Sequence, residues 1–281
     1  MLSTHAILSE MISNPTMPRL SGRQIRNQYL APLLAVCIVA GSVFFSGVIR
    51  QGSNKNQDSR YFYKAAECWR EGHSPYDPKV YFPKLHAEFA GGADGGDFAY
   101  PPTFMLVIFP MAFFDRQIAA GLFSVMSFGA AMVLFWSCYR LLRESLSSPL
   151  GPVPWCWLTL ASTMGSIALT IFFGQSSVFI AAACALALVG SKLNRSWLTV
   201  VGLIVATAKP QLSFPLLLFI PLFEPRQRKA AIIALTIILI PLAYSAMIDP
   251  HIVRSYMDIV GSNRSLDVND PAIQIGIAGL L

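Results

Sequence analysis

Apolar residues in this chain come in long runs separated by short polar connections, and the length of each run decides what it can become. A helix that crosses a bilayer needs about 20 apolar residues. Residues 30–49 supply that length without an ionisable side chain, and residues 117–139, 155–173 and 230–248 are further long runs. Shorter runs occupy residues 176–190, 197–208 and 212–223, so about seven transmembrane helices are expected. Residues 103–114 are apolar but too short to cross, and a crossing there would invert every later connection; they read as re-entrant or interfacial. The fold class expected is an all-α polytopic membrane protein, with residues 1–29 a cytoplasmic segment and residues 30–281 a single membrane domain.

Charge orients these spans. Basic residues in short connections stay on the cytoplasmic side. Arg19, Arg23 and Arg26 precede the first run, and Arg140 with Arg143, Lys192 with Arg195, and Arg226, Arg228 with Lys229 occupy alternate connections. The other connections are then external: residues 50–102, the Gly174-Gln175 turn, the Lys209-Pro210-Gln211 turn and the segment after Asp249. The 50–102 loop holds seven Lys/Arg but also seven interleaved Asp/Glu, and its length approaches the range where the rule weakens. No small-residue cleavage signature closes the first run, which predicts an uncleaved anchor.

Composition narrows the class further. Hydrophobic types make up 54% of the 281 residues and charged types 13%, which a soluble globule, a disordered chain or a coiled coil does not match. Four of the five cysteines, Cys37, Cys138, Cys156 and Cys184, sit inside apolar runs, so they read as small buried hydrophobes and not as a disulfide framework. The net charge of +6 is dispersed between apolar runs, which is topology writing and no nucleic-acid footprint. His5, His73, His86 and His251 lack ligand spacing, and no glycine-rich phosphate loop is followed by Lys and Ser/Thr; neither a metal nor another cofactor is expected. The stretch Gly91-Gly92-Ala93-Asp94-Gly95-Gly96-Asp97 lacks the spaced ligands of a calcium loop and reads as a flexible turn.

Polar chemistry concentrates in the first external loop. Residues 58–72 have helical spacing, with Gly72 placed as a terminator. Tyr61, Phe62, Ala65, Ala66, Cys68 and Trp69 fall on one face and Arg60, Lys64, Glu67, Arg70 and Glu71 on the other, which predicts an amphipathic helix lying flat on the outer membrane surface. Asp58 falls on the apolar side of that wheel, so its carboxyl points toward the membrane domain. Two roles fit it, helix N-cap and general base, and they are compatible. Ser74-Pro75-Tyr76-Asp77-Pro78 and Phe98-Ala99-Tyr100-Pro101-Pro102 are proline-braced turns whose tyrosines suit either a cleft wall or interfacial anchoring. Gln175 lies between two spans. Lys209 is the only ionisable residue in 197–223, and an isolated charge at depth costs at least about 2.5 kcal/mol unless it snorkels or is paired. Pro210 breaks the helix beside it, so snorkelling at a helix end fits Lys209 as well as a partnered site does.

The series Asp58, Tyr63-x-Ala65-Ala66, Gly72-x-Ser74-Pro75-Tyr76-Asp77, Tyr100-Pro101-Pro102, Phe173-Gly174-Gln175 and Lys209-Pro210 resembles glycosyltransferase family 87. Each motif alone is weak; their order and spacing carry the likeness. The resemblance implies a GT-C-like helical bundle and an inverting transfer of a hexose, typically mannose, from a polyprenyl-phosphate-linked donor to a lipid or glycan acceptor on the external face. It aligns Asp58 with the catalytic base, and Tyr63, Tyr76, Asp77, Tyr100, Gln175 and Lys209 with substrate-binding positions. Lys209 is further expected to neutralise the lipid phosphate. Family members are longer, and the apolar end Ile277-Ala278-Gly279-Leu280-Leu281 reads as the start of another helix, so a truncated and inactive relative is one alternative. A non-enzymatic transporter or lipid-carrier binding subunit is the other, although ionisable groups at the midplane and inverted repeats, the usual marks of transporters, are not evident.

Overall fold

The computed structural model describes residues 34, 36–47, 49, 58–88, 98–145 and 165–264. The expectations for residues 1–29, for the first half of the 155–173 run, for the Gly91–Asp97 turn and for the residues after Arg264 lie outside the described residues. Among those described, every regular element is helical. In chain order they are α1 (Val36–Gly47), α2 (Asp58–Arg70), α3 (Pro78–Glu88), α4 (Met105–Ile108, flanked by 3-10 turns at Pro102–Phe104 and Phe109–Phe113), α5 (Arg116–Ser145), α6 (Gly165–Phe173), α7 (Ser177–Lys192), α8 (Ser196–Ala206), α9 (Pro210–Phe223), α10 (Arg228–Ile248) and α11 (Ile252–Arg264).

Among the described residues, two stretches are long and apolar enough to cross a membrane, Arg116–Leu142 and Pro225–Ile248; α1, α7, α8 and the Ser213–Phe223 part of α9 are apolar but shorter. Residues 102–113 form a chain of short turns and no continuous span, and Pro110 lacks the amide that would continue α4. Large apolar side chains on α9 and α10, among them Phe214, Phe219, Ile232, Leu239, Ile240 and Met247, are exposed. Such a continuous greasy exterior has no place in water and suits lipid.

Helices α7 and α8 pack with backbones nearly touching. A Cβ on Gly190 would stand 2.4 Å from the Thr199 nitrogen, and one on Gly202 would stand 2.5 Å from the Ala187 nitrogen. Small residues at both points permit this approach, as they do wherever helices associate in lipid by shape.

The connections collect at two ends. At one, the Ser176 hydroxyl donates to the Tyr100 phenol oxygen (3.0 Å), the Thr103 hydroxyl donates to the Thr207 carbonyl (2.9 Å) and the Ser74 hydroxyl to the Asp249 carboxylate (3.3 Å). At the other, the Gln227 amide donates to the Asn194 side-chain oxygen (3.0 Å), and Arg140 and Arg195 line one cavity. The described connections therefore fall into two separate sets.

The amphipathic helix expected at residues 58–72 forms as α2, closed by Gly72 at φ +76°: the amides of Gly72 and His73 donate back to Trp69 and Cys68 carbonyls. Its surroundings differ from the expectation. Protein, and not lipid, covers the apolar face: Phe62 packs edge-on against Tyr100 and Phe104 (both 5.0 Å) and against Phe123 (5.4 Å), and Trp69 against Phe98. Arg60 and Lys64, on the polar face, are buried too. The short turns of residues 102–113 wrap over the helix, with Arg70 donating to the Ala112 carbonyl and the Tyr63 phenol to Phe114 (3.2 Å). A wheel reports which face is greasy but not what covers it.

Candidate active site

Asp58 opens α2, half-buried, and Ser59 beside it is pressed onto the turn that joins α6 to α7. That turn exists because Gly174 takes φ +65°: its amide donates to Ile171 and the Gln175 amide to Thr170, ending α6 and freeing the chain to start α7 two residues later. Any side chain at Gly174 would collide with Ser59, since a Cβ there falls 2.9 Å from the Ser59 Cβ and 3.2 Å from its backbone nitrogen. The glycine thus serves both the backbone turn and the seat of the helix that carries Asp58.

Lys209 enters from a second turn. Pro210 occupies the first helical position of α9, where its missing N–H costs nothing, and it holds Lys209 extended (φ −130°, ψ 91°). The ammonium reaches across to donate to the Ser177 hydroxyl at 3.4 Å. Burial pushes the Asp58 carboxyl above its ordinary value, and Lys209, then Arg60, pull it down. Burial likewise lowers Lys209, and the Asp58 carboxylate opposes that. A carboxylate and an ammonium are thus close enough to sense each other at the N-termini of α2, α7 and α9. Three helix N-termini and a lysine make this a favourable place for an anion.

Tyr100 completes the wall. It accepts from Ser176, stacks on Phe104 (4.7 Å), and is pushed up to about 12 by burial and by Asp58, against the Ser176 hydrogen bond. Gln175 is half-buried in the adjoining turn. Beside Thr207 and Pro210 opens an apolar cavity of about 270 Å³ that includes Thr103, Phe214, Leu242 and Tyr256 in its lining.

Of the residues expected at a site, Asp58, Tyr100, Gln175 and Lys209 come together here. The other three stand elsewhere. Tyr63 is buried against residues 109–114 through its phenol bond to Phe114. Tyr76 is a buried brace: its phenol donates to the Tyr100 carbonyl (2.6 Å) and its ring packs on Trp69, Phe98 and Tyr256. Asp77 starts α3, accepting from the Lys79 amide (2.9 Å), and borders a separate polar recess of about 460 Å³ with Ser74 and Asp249. Sequence reading passed over Ser59, Ser176 and Ser177, which are common residues in turns; Ser176 and Ser177 follow Gly174-Gln175 directly, and that adjacency was the available signal. Among the described residues no group of three or more His, Cys, Asp or Glu is placed to hold a metal.

No curated protein and no solved structure matches the chain. A family model does, over residues 98–281, a stretch that contains Tyr100, Gln175 and Lys209 and begins after Asp58. It covers nearly two thirds of the sequence, and with the exposed apolar helices it identifies the chain as a membrane protein belonging to glycosyltransferase family 87.

Proposed function

We propose that this glycosyltransferase moves a hexose, mannose by the family resemblance, from a polyprenyl-phosphate donor to a lipid or glycan acceptor at the external membrane face, with inversion at the anomeric carbon. The observation that carries this reading is the Lys209 ammonium seated on Ser177 at the N-terminus of α7, near enough to Asp58 at the start of α2 for each charge to act on the other.

Asp58 takes the proton from an acceptor hydroxyl, whose oxygen attacks the anomeric carbon as the bond from that carbon to the phosphate oxygen breaks. The bonding pair leaves with the lipid phosphate. The negative charge that grows there is met by the Lys209 ammonium and the N-terminal dipoles of α7 and α9. The carboxyl's raised affinity for protons, set by burial, makes it a better base than an exposed aspartate. Tyr100 and Gln175, near Asp58 and outside the lining of the apolar cavity, contact the sugar, and that cavity beside Pro210 accepts the first carbons of the lipid. Tyr76 positions Tyr100 through its carbonyl. Residues 30–281 act as one membrane domain, residues 1–29 are cytoplasmic and the 50–102 loop is external.

Asp58→Asn tests this directly, because the amide keeps a capping oxygen and loses the base. The expected result is a protein that inserts normally and transfers sugar about 100-fold more slowly or worse, measured with a polyprenyl-phosphate hexose in isolated membranes. Near-normal turnover removes Asp58 as the base. Mass spectrometry of lipid-linked sugars and glycolipids from cells with and without the protein identifies the sugar and its acceptor.

A further inference from the structure

At the end of the molecule opposite the candidate active site, a cavity of about 460 Å³ lies between α5, α7 and α8. Trp136, Arg140, Leu186, Leu193, Arg195 and Trp197 are among its lining residues. Two guanidinium side chains and two indoles around a largely apolar trough is an unusual combination, and nothing in the transfer reaction uses it.

The cavity is held in place by defined local structure. Asn194 adopts φ 53°, so that the Arg195 amide donates to the Gly190 carbonyl (2.8 Å) and α7 ends in a tight turn; the Gln227 amide grips the Asn194 side chain from the α9–α10 connection. Arg195 therefore leaves the backbone at a fixed place, immediately before α8. Trp197 is 62% exposed on the first turn of that helix. The neighbouring connections add Lys192, Arg226, Arg228 and Lys229, and Glu224 and Glu144, the latter four residues after Arg140 on α5, are the acidic residues among them.

We infer that this cavity is a binding site for one anionic glycerophospholipid, separate from the donor site. Its phosphodiester sits between Arg140 and Arg195, for which the planar guanidinium is the fitting partner. Its first acyl carbons lie along Leu186 and Leu193, and Trp136 and Trp197 take the interfacial position that tryptophan favours. Basic recesses between spanning helices on the positively flanked side select such headgroups. Charge complementarity commits the site to an anionic lipid over a zwitterionic one.

Native mass spectrometry of the full chain in detergent tests it, with phosphatidylglycerol and phosphatidylcholine of matched acyl chains as probes. One phosphatidylglycerol is expected to bind about tenfold more tightly than phosphatidylcholine. Arg140→Gln with Arg195→Gln is expected to abolish that preference, while Arg226→Gln with Arg228→Gln keeps it. Free glycerol 3-phosphate is expected not to compete at equal concentration; full competition would make this a site for soluble phosphoesters and overturn the lipid assignment. Equal binding of both lipids to the unaltered chain would overturn it as well, as would a preference that survives loss of both arginines. Should the double variant misfold, tryptophan quenching by brominated phosphatidylglycerol, compared with brominated phosphatidylcholine in the unaltered chain and in Trp197→Phe, reads the same site; equal quenching by the two lipids overturns it.

Discussion

Asp58 is pulled in two directions: burial raises its carboxyl's affinity for protons, and the Lys209 ammonium lowers it. A base works only when ionised, so with Asp58 in the proposed role transfer is expected to fall as pH drops through its pKa. Removing Lys209 leaves burial less opposed, which raises that pKa and moves the acidic limb of the rate profile toward neutral pH. Lys209→Met is therefore expected to shift the limb of kcat/KM upward in pH and to raise the KM for the lipid-linked donor about tenfold, with the acceptor KM unchanged. An unshifted limb with unchanged donor dependence would refute both the coupling and the phosphate role. The sequence places Asp58 at the start of an amphipathic helix on its apolar side, a position that suits an N-cap as well as a base, so spacing alone does not separate the two roles. Lys209 was legible as an isolated charge but its company was not: Ser177 lies 32 residues away, and no spacing rule connects them.

Elements position these side chains through close approach. α2 owes its place to aromatic packing around Phe62 and to the contact of Ser59 with Gly174. Since the obstructing atoms at Gly174 include backbone and a Cβ, they cannot swing aside as a long side chain would, and the glycine's φ of +65° penalises any side chain independently. Gly174→Ala is expected to lower transfer at least about tenfold while leaving α7 and α8 packed, because the error falls on the α6–α7 turn and the seat of α2 and not on the α7–α8 contact. Circular dichroism and detergent thermal stability near the parent's, beside the lost activity, would bear this out; unchanged transfer would show that the seat does not set the carboxyl's position. Helix α2 and its glycine stop could be read from periodicity and turn chemistry. Helix α3 could not, having little amphipathic contrast and a proline at position 83. Helix α11 went unread beyond the last long run, although Ile252, Tyr256 and Ile259 recur at helical spacing and pack on the main core.

Across the whole molecule, the polar chemistry and the basic connections occupy opposite ends, and this separation ties mechanism to the membrane. Arg140, Lys192, Arg195, Arg226, Arg228 and Lys229 gather at the end away from Asp58, and basic short loops remain cytoplasmic. The grouping of these basic residues at one end needs no knowledge of packing to be expected, because loop charge is written in the sequence itself. The close approach of α7 and α8 depends on which glycine meets which backbone, and periodicity does not contain that information. His73 and Arg226 are both exposed, one at each end, which makes them fair reporters of orientation. In a chain whose native cysteines have been replaced, His73→Cys is expected to react with a membrane-impermeant maleimide on intact cells, and Arg226→Cys only after permeabilisation. The opposite pattern would put Asp58 on the cytosolic face and remove the external acceptor. Labelling of both positions in intact cells would mean that the two ends do not lie across a bilayer, and neither the donor site nor the lipid site could then work as described.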